Sequence, residues 1–175
     1  DIVERSSAWR GRLDILVNNA GIIRRADAID FSEADWDAVM DVNLKSVFFL
    51  SQAVAKRMLA QGSGGKIVNV ASLLSFQGGI RVPSYTASKS GLAGLTRLLA
   101  CEWAAKGINV NAICPGYIDT EINYHHWQTA AGQKLVQMLP RKRLGKPQAL
   151  DAVLMMLCAN ESHFVNGAVI AADDG

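Results

Sequence analysis

Ile67-Val68-Asn69-Val70 is a short, largely apolar run that closes in the small residues Ala71-Ser72, and a long helical pattern follows from about Ser84 to Lys106. Rich in β-branched side chains and too short for a helix, the run reads as a strand buried on both faces. Ile15-Leu16-Val17 precedes it and Val110-Asn111-Ala112-Ile113 follows it, each apolar in the same way. Ala168-Val169-Ile170-Ala171 comes last. Long helical patterns separate these runs, so the order is βαβαβαβ and the class is α/β with a parallel sheet.

The first long helix is expected to start at Ser32, whose hydroxyl can cap it together with Asp35 three residues on. Trp36, Met40, Val47, Val54 and Met58 then mark its inner face. Asn43 falls on that stripe, where an amide must find a partner, as a structural strut or as part of a site. The second long helix ends at Gly107, and a shorter one covers about Gln148 to Ala159 after Pro147. Between Thr120 and Pro140 the pattern is weak and polar, as expected of a mobile flap over a pocket. Asp1 to Arg10 reads as the last turns of a helix closed by Gly11.

Composition narrows the function classes. Of 175 residues, half are hydrophobic and 19% are charged, which suits a folded globular protein. A formal charge of +2 with scattered basic residues leaves no footprint for nucleic acid or an anionic membrane. Arg141-Lys142-Arg143 reads as a solvated loop. Cys101, Cys114 and Cys158 are odd in number and far apart, which points to a reducing compartment rather than to disulfides or zinc. His125, His126 and His163 lack ligand spacing, so no metal is expected. No charged-then-apolar leader and no apolar run of about 18 residues is present, so the expectation is a soluble, cytoplasmic protein.

The chemistry-bearing pattern is Tyr85-Thr86-Ala87-Ser88-Lys89, with Ser72 thirteen residues upstream. A Tyr and a Lys four apart share one helix face. An ammonium beside a phenol favours the phenolate, so the Tyr85 pKa is expected to fall toward neutrality and suit proton exchange with an alcohol oxygen. Ser72 can donate a hydrogen bond to that same oxygen. Three strands end in small or polar turns: Asn18-Asn19-Ala20-Gly21, Ala71-Ser72 and Pro115-Gly116. Ligands of open parallel sheets bind outside such strand ends.

Asn18-Asn19-Ala20-Gly21, Asn43, Ser72, Tyr85 with Lys89, and Pro115-Gly116 with Thr120 occur together in the order and spacing of the short-chain dehydrogenase/reductase family. The chain resembles that family along its whole length, which implies a Rossmann-like fold and an NAD- or NADP-dependent redox reaction. The resemblance implies Tyr85 as acid/base, Lys89 beneath it holding the nicotinamide ribose, and Ser72 positioning the substrate oxygen. It implies that Asn43 holds a water relaying protons to Lys89. Asn18, Ala20 and Gly21 would lie along the cofactor, and Pro115, Gly116, Ile118 and Thr120 would bracket the nicotinamide. It also implies a homodimer or homotetramer built on the two long helices.

Ala20-Gly21-Ile22-Ile23-Arg24-Arg25, Phe31-Ser32-Glu33 with Asp35-Trp36-Asp37, and the stretch Ser75 to Tyr85 are similar to the 2-dehydro-3-deoxy-D-gluconate 5-dehydrogenase group, whose members are also called 2-deoxy-D-gluconate 3-dehydrogenases. That similarity implies a sugar-acid substrate and NAD, with NADP open. Arg24, Arg25, Gln77 and Arg81 would then be candidates for holding it, since a guanidinium clamps a carboxylate. The competing readings are a 3-oxoacyl thioester substrate and a catalytically silent remnant that cannot bind NAD.

One part of the family pattern has no counterpart. The glycine-rich turn after the family's first strand is not found before Asn18, and Gly62, Gly64 and Gly65 precede a strand, where they cannot aim a helix at phosphate. Residues 1–175 are therefore expected to be the C-terminal catalytic portion of one such domain. Its glycine-rich cofactor half and first three strands would be absent, leaving Ile15-Leu16-Val17 as an edge. Asp173-Asp174-Gly175 also stands where the family usually has Asp-Gly-Gly.

Overall fold

The computed structural model describes residues 2–175. Helix α1 (Ile2–Arg10) ends at Gly11, at a φ of 75°, and leads into strand β1 (Ile15–Asn18). Helix α2 (Glu33–Met40) is capped by Ser32, whose side chain accepts from the Asp35 N–H. A π-turn over Asp41–Lys45 joins it to α3 (Ser46–Gln61), closed by Gly62 in the left-handed region. Strand β2 (Gly65–Val70) is followed by α4 (Pro83–Trp103), with Pro83 in the first turn, where its missing N–H costs nothing. Strand β3 (Ile108–Pro115), helices α5 (Tyr124–Trp127), α6 (Ala130–Met138) and α7 (Asp151–Cys158), and strand β4 (Val169–Ala172) complete the order.

The four strands form one parallel sheet in the order β1-β2-β3-β4. Side chains alternate across it. Ile67 and Val110 pack with Val54 and Met58 of α3 and Leu99 and Trp103 of α4, while Val68 and Ile113 pack with Leu157 of α7. The two middle strands are thus covered on both faces, as their unbroken apolar runs require.

Three expectations change. Ile15-Leu16-Val17 is a strand, but it is not buried on both faces: Ile15 is 42% and Val17 38% exposed. β1 is an edge strand among the described residues, and α7 packs on β2 and β3. Trp36 is not on the inner stripe; it is exposed, and Val39 is the fully buried residue of α2. The π-turn is the cause, because its wider turn inserts one residue and rotates α2 out of phase with α3. Finally, the segment after Thr120 is not without structure. It folds into α5 and α6, with Trp127 buried and Thr129 accepting from the Gly132 N–H at 3.0 Å.

Asp174 has a φ of 67°, in the glycine-favouring region that Asp tolerates better than most side chains. Arg143 bonds both of its carboxylate oxygens, at 2.8 and 3.1 Å, and Arg141 approaches to 3.5 Å. Two members of the basic run are therefore paired with Asp174. All three cysteines are free, and no helix among the described residues is long and apolar enough to cross a membrane.

Candidate active site

Ser72 lies two residues past the end of β2, and its extended backbone (φ −166°) caps the short turn Leu73–Ser75, with Oγ accepting from the Leu74 N–H at 3.2 Å. That turn docks on α4. Ser75 Oγ donates to the Lys89 carbonyl at 2.7 Å, and Ser90 Oγ donates to the Leu74 carbonyl at 3.1 Å. Tyr85 and Lys89 sit in the first turns of the same helix, so Ser72, Tyr85 and Lys89 are brought to one place beyond the carboxyl ends of the strands.

Lys89 is buried, and its Nζ donates to the Val70 carbonyl at 2.7 Å. Burial pulls its pKa down to about 8, with a small opposing pull from Cys114. The ammonium lies 5.6 Å from the centre of the Tyr85 ring. The expectation that Lys89 drags the Tyr85 pKa toward neutrality is not met. Burial raises it, and the groups that pull it back are a hydrogen-bond interaction with Ser72 and the charge of Arg25. The physical reason is geometric: the ammonium meets the ring while its nearest oxygen is the Val70 carbonyl.

Asn43, fully buried in the π-turn, uses its amide to hold the loop after β1. Its Oδ1 accepts from the Ile22 N–H at 2.8 Å, and its Nδ2 donates to the Ile22 carbonyl at 2.9 Å and to Ser88 Oγ at 3.3 Å. Ser88 Oγ in turn donates to the Tyr85 carbonyl at 2.9 Å. The loop, the π-turn and the Tyr85 helix are thereby tied together.

The residues expected along a cofactor divide into two kinds. Gly21 faces the site: a Cβ there would lie 3.5 Å from Asn43 Oδ1 and 3.7 Å from Lys89 Nζ. Ala20 precedes it in the same loop. Asn18 instead turns into the core, where its Nδ2 donates to Ser51 Oγ at 3.0 Å and to Asn69 Oδ1 at 2.8 Å. Pro115 ends β3. Gly116 is glycine for a reason other than ligand approach, because a Cβ there would come within 2.6 Å of the Asp173 Cα. Ile118 bridges to Gly145, and Thr120 borders a depression of about 420 Å³ with Asp119, Glu121, Tyr124 and Pro147.

Of the candidates for a substrate's carboxylate, two arginines have other partners. Arg24 Nε is 3.3 Å from Asp35 Oδ1, and Arg81 Nε is 3.0 Å from Asp27 Oδ1. Gln77 is exposed in the loop after β2. Arg25 has no ion pair among the described residues; its Nη2 donates to Asn123 Oδ1 at 3.2 Å, and its charge acts on the Tyr85 phenol.

A family model described as enoyl-(acyl carrier protein) reductase, one of the short-chain dehydrogenase groups, matches residues 1–175. A 2-dehydro-3-deoxy-D-gluconate 5-dehydrogenase from Escherichia coli is 56% identical across 99% of the chain. The chain belongs to the short-chain dehydrogenase/reductase family. It spans 69% of the E. coli relative's length. A 3-oxoacyl-[acyl-carrier-protein] reductase from Thermotoga maritima is 41% identical over the whole chain and 70% of its own length. Among solved structures, a gluconate 5-dehydrogenase from Burkholderia cenocepacia in complex with NADP and tartrate superposes with a TM-score of 0.94 at 38% identity, over 99% of this chain and 68% of that one. A protein proposed to be a 2-deoxy-D-gluconate 3-dehydrogenase from Agrobacterium tumefaciens, with bound NADP, gives 0.89 at 53% identity, over 100% and 73%.

For a short-chain dehydrogenase/reductase, the residues present fit the nicotinamide end of a dinucleotide. A buried ammonium stands beside a glycine whose missing side chain leaves room next to it. Sequence reasoning missed Ser75, Ser88 and Asn123. The two serines carried a weak signal, as small hydroxyls spaced along the motif, and Asn123 carried none.

Proposed function

We propose that the protein interconverts a hydroxyl and a ketone on a sugar acid resembling 2-dehydro-3-deoxy-D-gluconate, using NAD or NADP. The observation that carries this reading is the pairing of two groups at one crevice. Ser72, Tyr85 and Lys89 come together there, and the Tyr85 phenol feels the charge of Arg25, a guanidinium bonded to Asn123 and without a carboxylate partner among the described residues.

In the direction of reduction, the Ser72 hydroxyl donates a hydrogen bond to the carbonyl oxygen and the Tyr85 phenol delivers its proton to that oxygen. The dinucleotide, when bound, supplies the hydride to the carbonyl carbon. Lys89, with Gly21 and Ala20 alongside, would hold the nicotinamide ribose, and Pro115, Gly116, Ile118 and Thr120 would flank the ring. The charge of Arg25 stabilises the phenolate left behind. Asn43 keeps the loop carrying Gly21 and Arg25 in place through its two bonds to Ile22, and would hold the water that relays protons to Lys89. Arg25 takes the substrate's carboxylate, a bidentate pairing that an acyl thioester cannot offer.

The free edge of β1 is where the nucleotide-binding strands of the whole domain would pair, and its exposed Ile15 and Val17 face is where their helices would pack, making residues 1–175 its catalytic portion. A second copy of the chain would cover the apolar groove between α3 and α4, a depression of about 420 Å³ lined by Phe48, Phe49, Leu95 and Leu98 among others. The three free thiols suit the cytoplasm. Initial rates of the full-length protein with a keto-sugar acid and with an acetoacetyl thioester, each with NADH and NADPH, test the reading. It predicts at least about tenfold higher kcat/KM for the acid, the scale of one charge-assisted contact. Preference for the thioester would overturn it.

A further inference from the structure

Arg25 lies in an irregular loop, yet both ends of that loop are held. Ile22 is bonded twice by Asn43, and Asp27 is paired with Arg81. Between these anchors the guanidinium reaches across the mouth of the crevice to Asn123, 98 residues further along the chain. We propose that Asn123 is a positioning residue for Arg25: it fixes the guanidinium beside Tyr85, so that segment 119–139 and the loop after β1 grip an anionic substrate together. This rests on the reading of Arg25 as the carboxylate's partner.

Two features of Asn123 suit it to the task. Its backbone is fixed on both sides, the N–H donating to the Thr120 carbonyl at 3.0 Å and the carbonyl accepting from the Trp127 N–H at 3.2 Å. Trp127 is itself buried, so the acceptor on Asn123 has a defined place. The second feature is neutrality. A carboxylate at this position would cancel the charge of Arg25, whereas an amide oxygen orients the guanidinium and leaves its charge for the ligand. Arg81 and His126 also feel the charge of Arg25 across the mouth, and Asp27, two residues along the loop, is taken up by Arg81. The Tyr85 phenol, for its part, feels the charge of Arg25, and its ring centre lies 5.6 Å from the Lys89 ammonium.

The test compares the full-length wild type with Asn123→Asp, Asn123→Ala and Arg25→Ala. KM and kcat are measured for a keto-sugar acid and for its neutral amide, and the Tyr85 phenol is titrated by NMR of labelled tyrosine in the absence of dinucleotide. Asn123→Asp is nearly isosteric. It should raise KM for the acid by roughly tenfold while moving the amide less than about twofold, and it should shift the phenol titration upward. Asn123→Ala should raise the acid's KM by a smaller factor of about three. If acid and amide respond alike to Asn123→Asp, or neither responds, Asn123 does not position Arg25. If Arg25→Ala itself leaves the acid's KM unchanged, the carboxylate reading of Arg25 fails first and takes this inference with it. An effect of Arg25→Ala without any from either Asn123 variant would remove the inference alone.

Discussion

The crevice has a floor and a mouth, and they are built differently. At the floor, Lys89 and Asn43 are buried on helix α4 and the π-turn, Lys89 anchored to the end of β2 at Val70 and Asn43 holding Ile22 of the loop after β1. At the mouth, Arg24, Arg25 and Arg81 are exposed and extend from irregular loops toward Asp35, Asn123 and Asp27. The difference teaches where precision and selectivity reside. Regular elements hold the groups that move a proton, and loops hold the charges that choose what is brought to them.

The sharpest way to break this contrast is at the floor. Tyr85→Phe removes the proton donor with little change in shape and should lower kcat by about 10³-fold or more, leaving sugar-acid binding within about threefold. Steady-state rates and a calorimetric titration check both halves. A drop of less than about tenfold would mean that another group carries the proton.

Asn43→Leu is expected to come next. It leaves the Ile22 N–H and carbonyl without their buried partner, at a cost of about 1–3 kcal/mol, and frees the loop that bears Gly21 and Arg25. A urea melt should show the lost stability, and KM for the acid should rise with it. Unchanged stability would put the strut elsewhere.

Lys89→Met probes the electrostatic cost of the floor. The folded-state pKa of Lys89 is about 8 against an ordinary 10.5, so burial penalises the charged form. Below pH 8 the wild type bears that penalty in full, and between pH 8 and 10.5 the unfolded chain binds the extra proton, so stability rises with pH. The methionine variant should therefore be inactive. It should also be more stable than wild type at pH 7, by up to about 3 kcal/mol less the lost bond to Val70. That advantage should fade as pH climbs toward 10.5. Chemical denaturation at pH 7 and at pH 10 reads the difference, and a gap that widens with pH would contradict the assignment.

The smallest effect belongs to the mouth. Arg24→Ala breaks only an exposed ion pair with Asp35 and should change stability by less than about 0.5 kcal/mol, with KM within about twofold. A tenfold rise would make Arg24, rather than Arg25, the partner of the acid.

The same contrast explains what was legible in the sequence. Tyr85, Lys89 and Ser72 could be placed because helical spacing and the carboxyl end of a strand fix neighbours without reference to a loop. The four strands and the glycine stops Gly11 and Gly107 were legible for the same reason. The π-turn at Asn43 was not, since a single inserted residue leaves the apolar repeat looking continuous while moving Trp36 to the surface. Nor could periodicity show that Gly116 is shaped by Asp173, or that Arg25 meets Asn123. Both contacts join segments far apart in the chain, and one of them links two loops.

The most direct measurement is a crystal structure of the full-length protein with the reduced dinucleotide and a hydroxyl-bearing sugar acid such as D-gluconate, a pair that cannot exchange a hydride. The account predicts one hydroxyl oxygen of the ligand within about 2.5–3.0 Å of both Ser72 Oγ and Tyr85 Oη, and its carboxylate on Arg25. A ligand whose carboxylate sits away from Arg25, or whose oxygens reach neither hydroxyl, would contradict it.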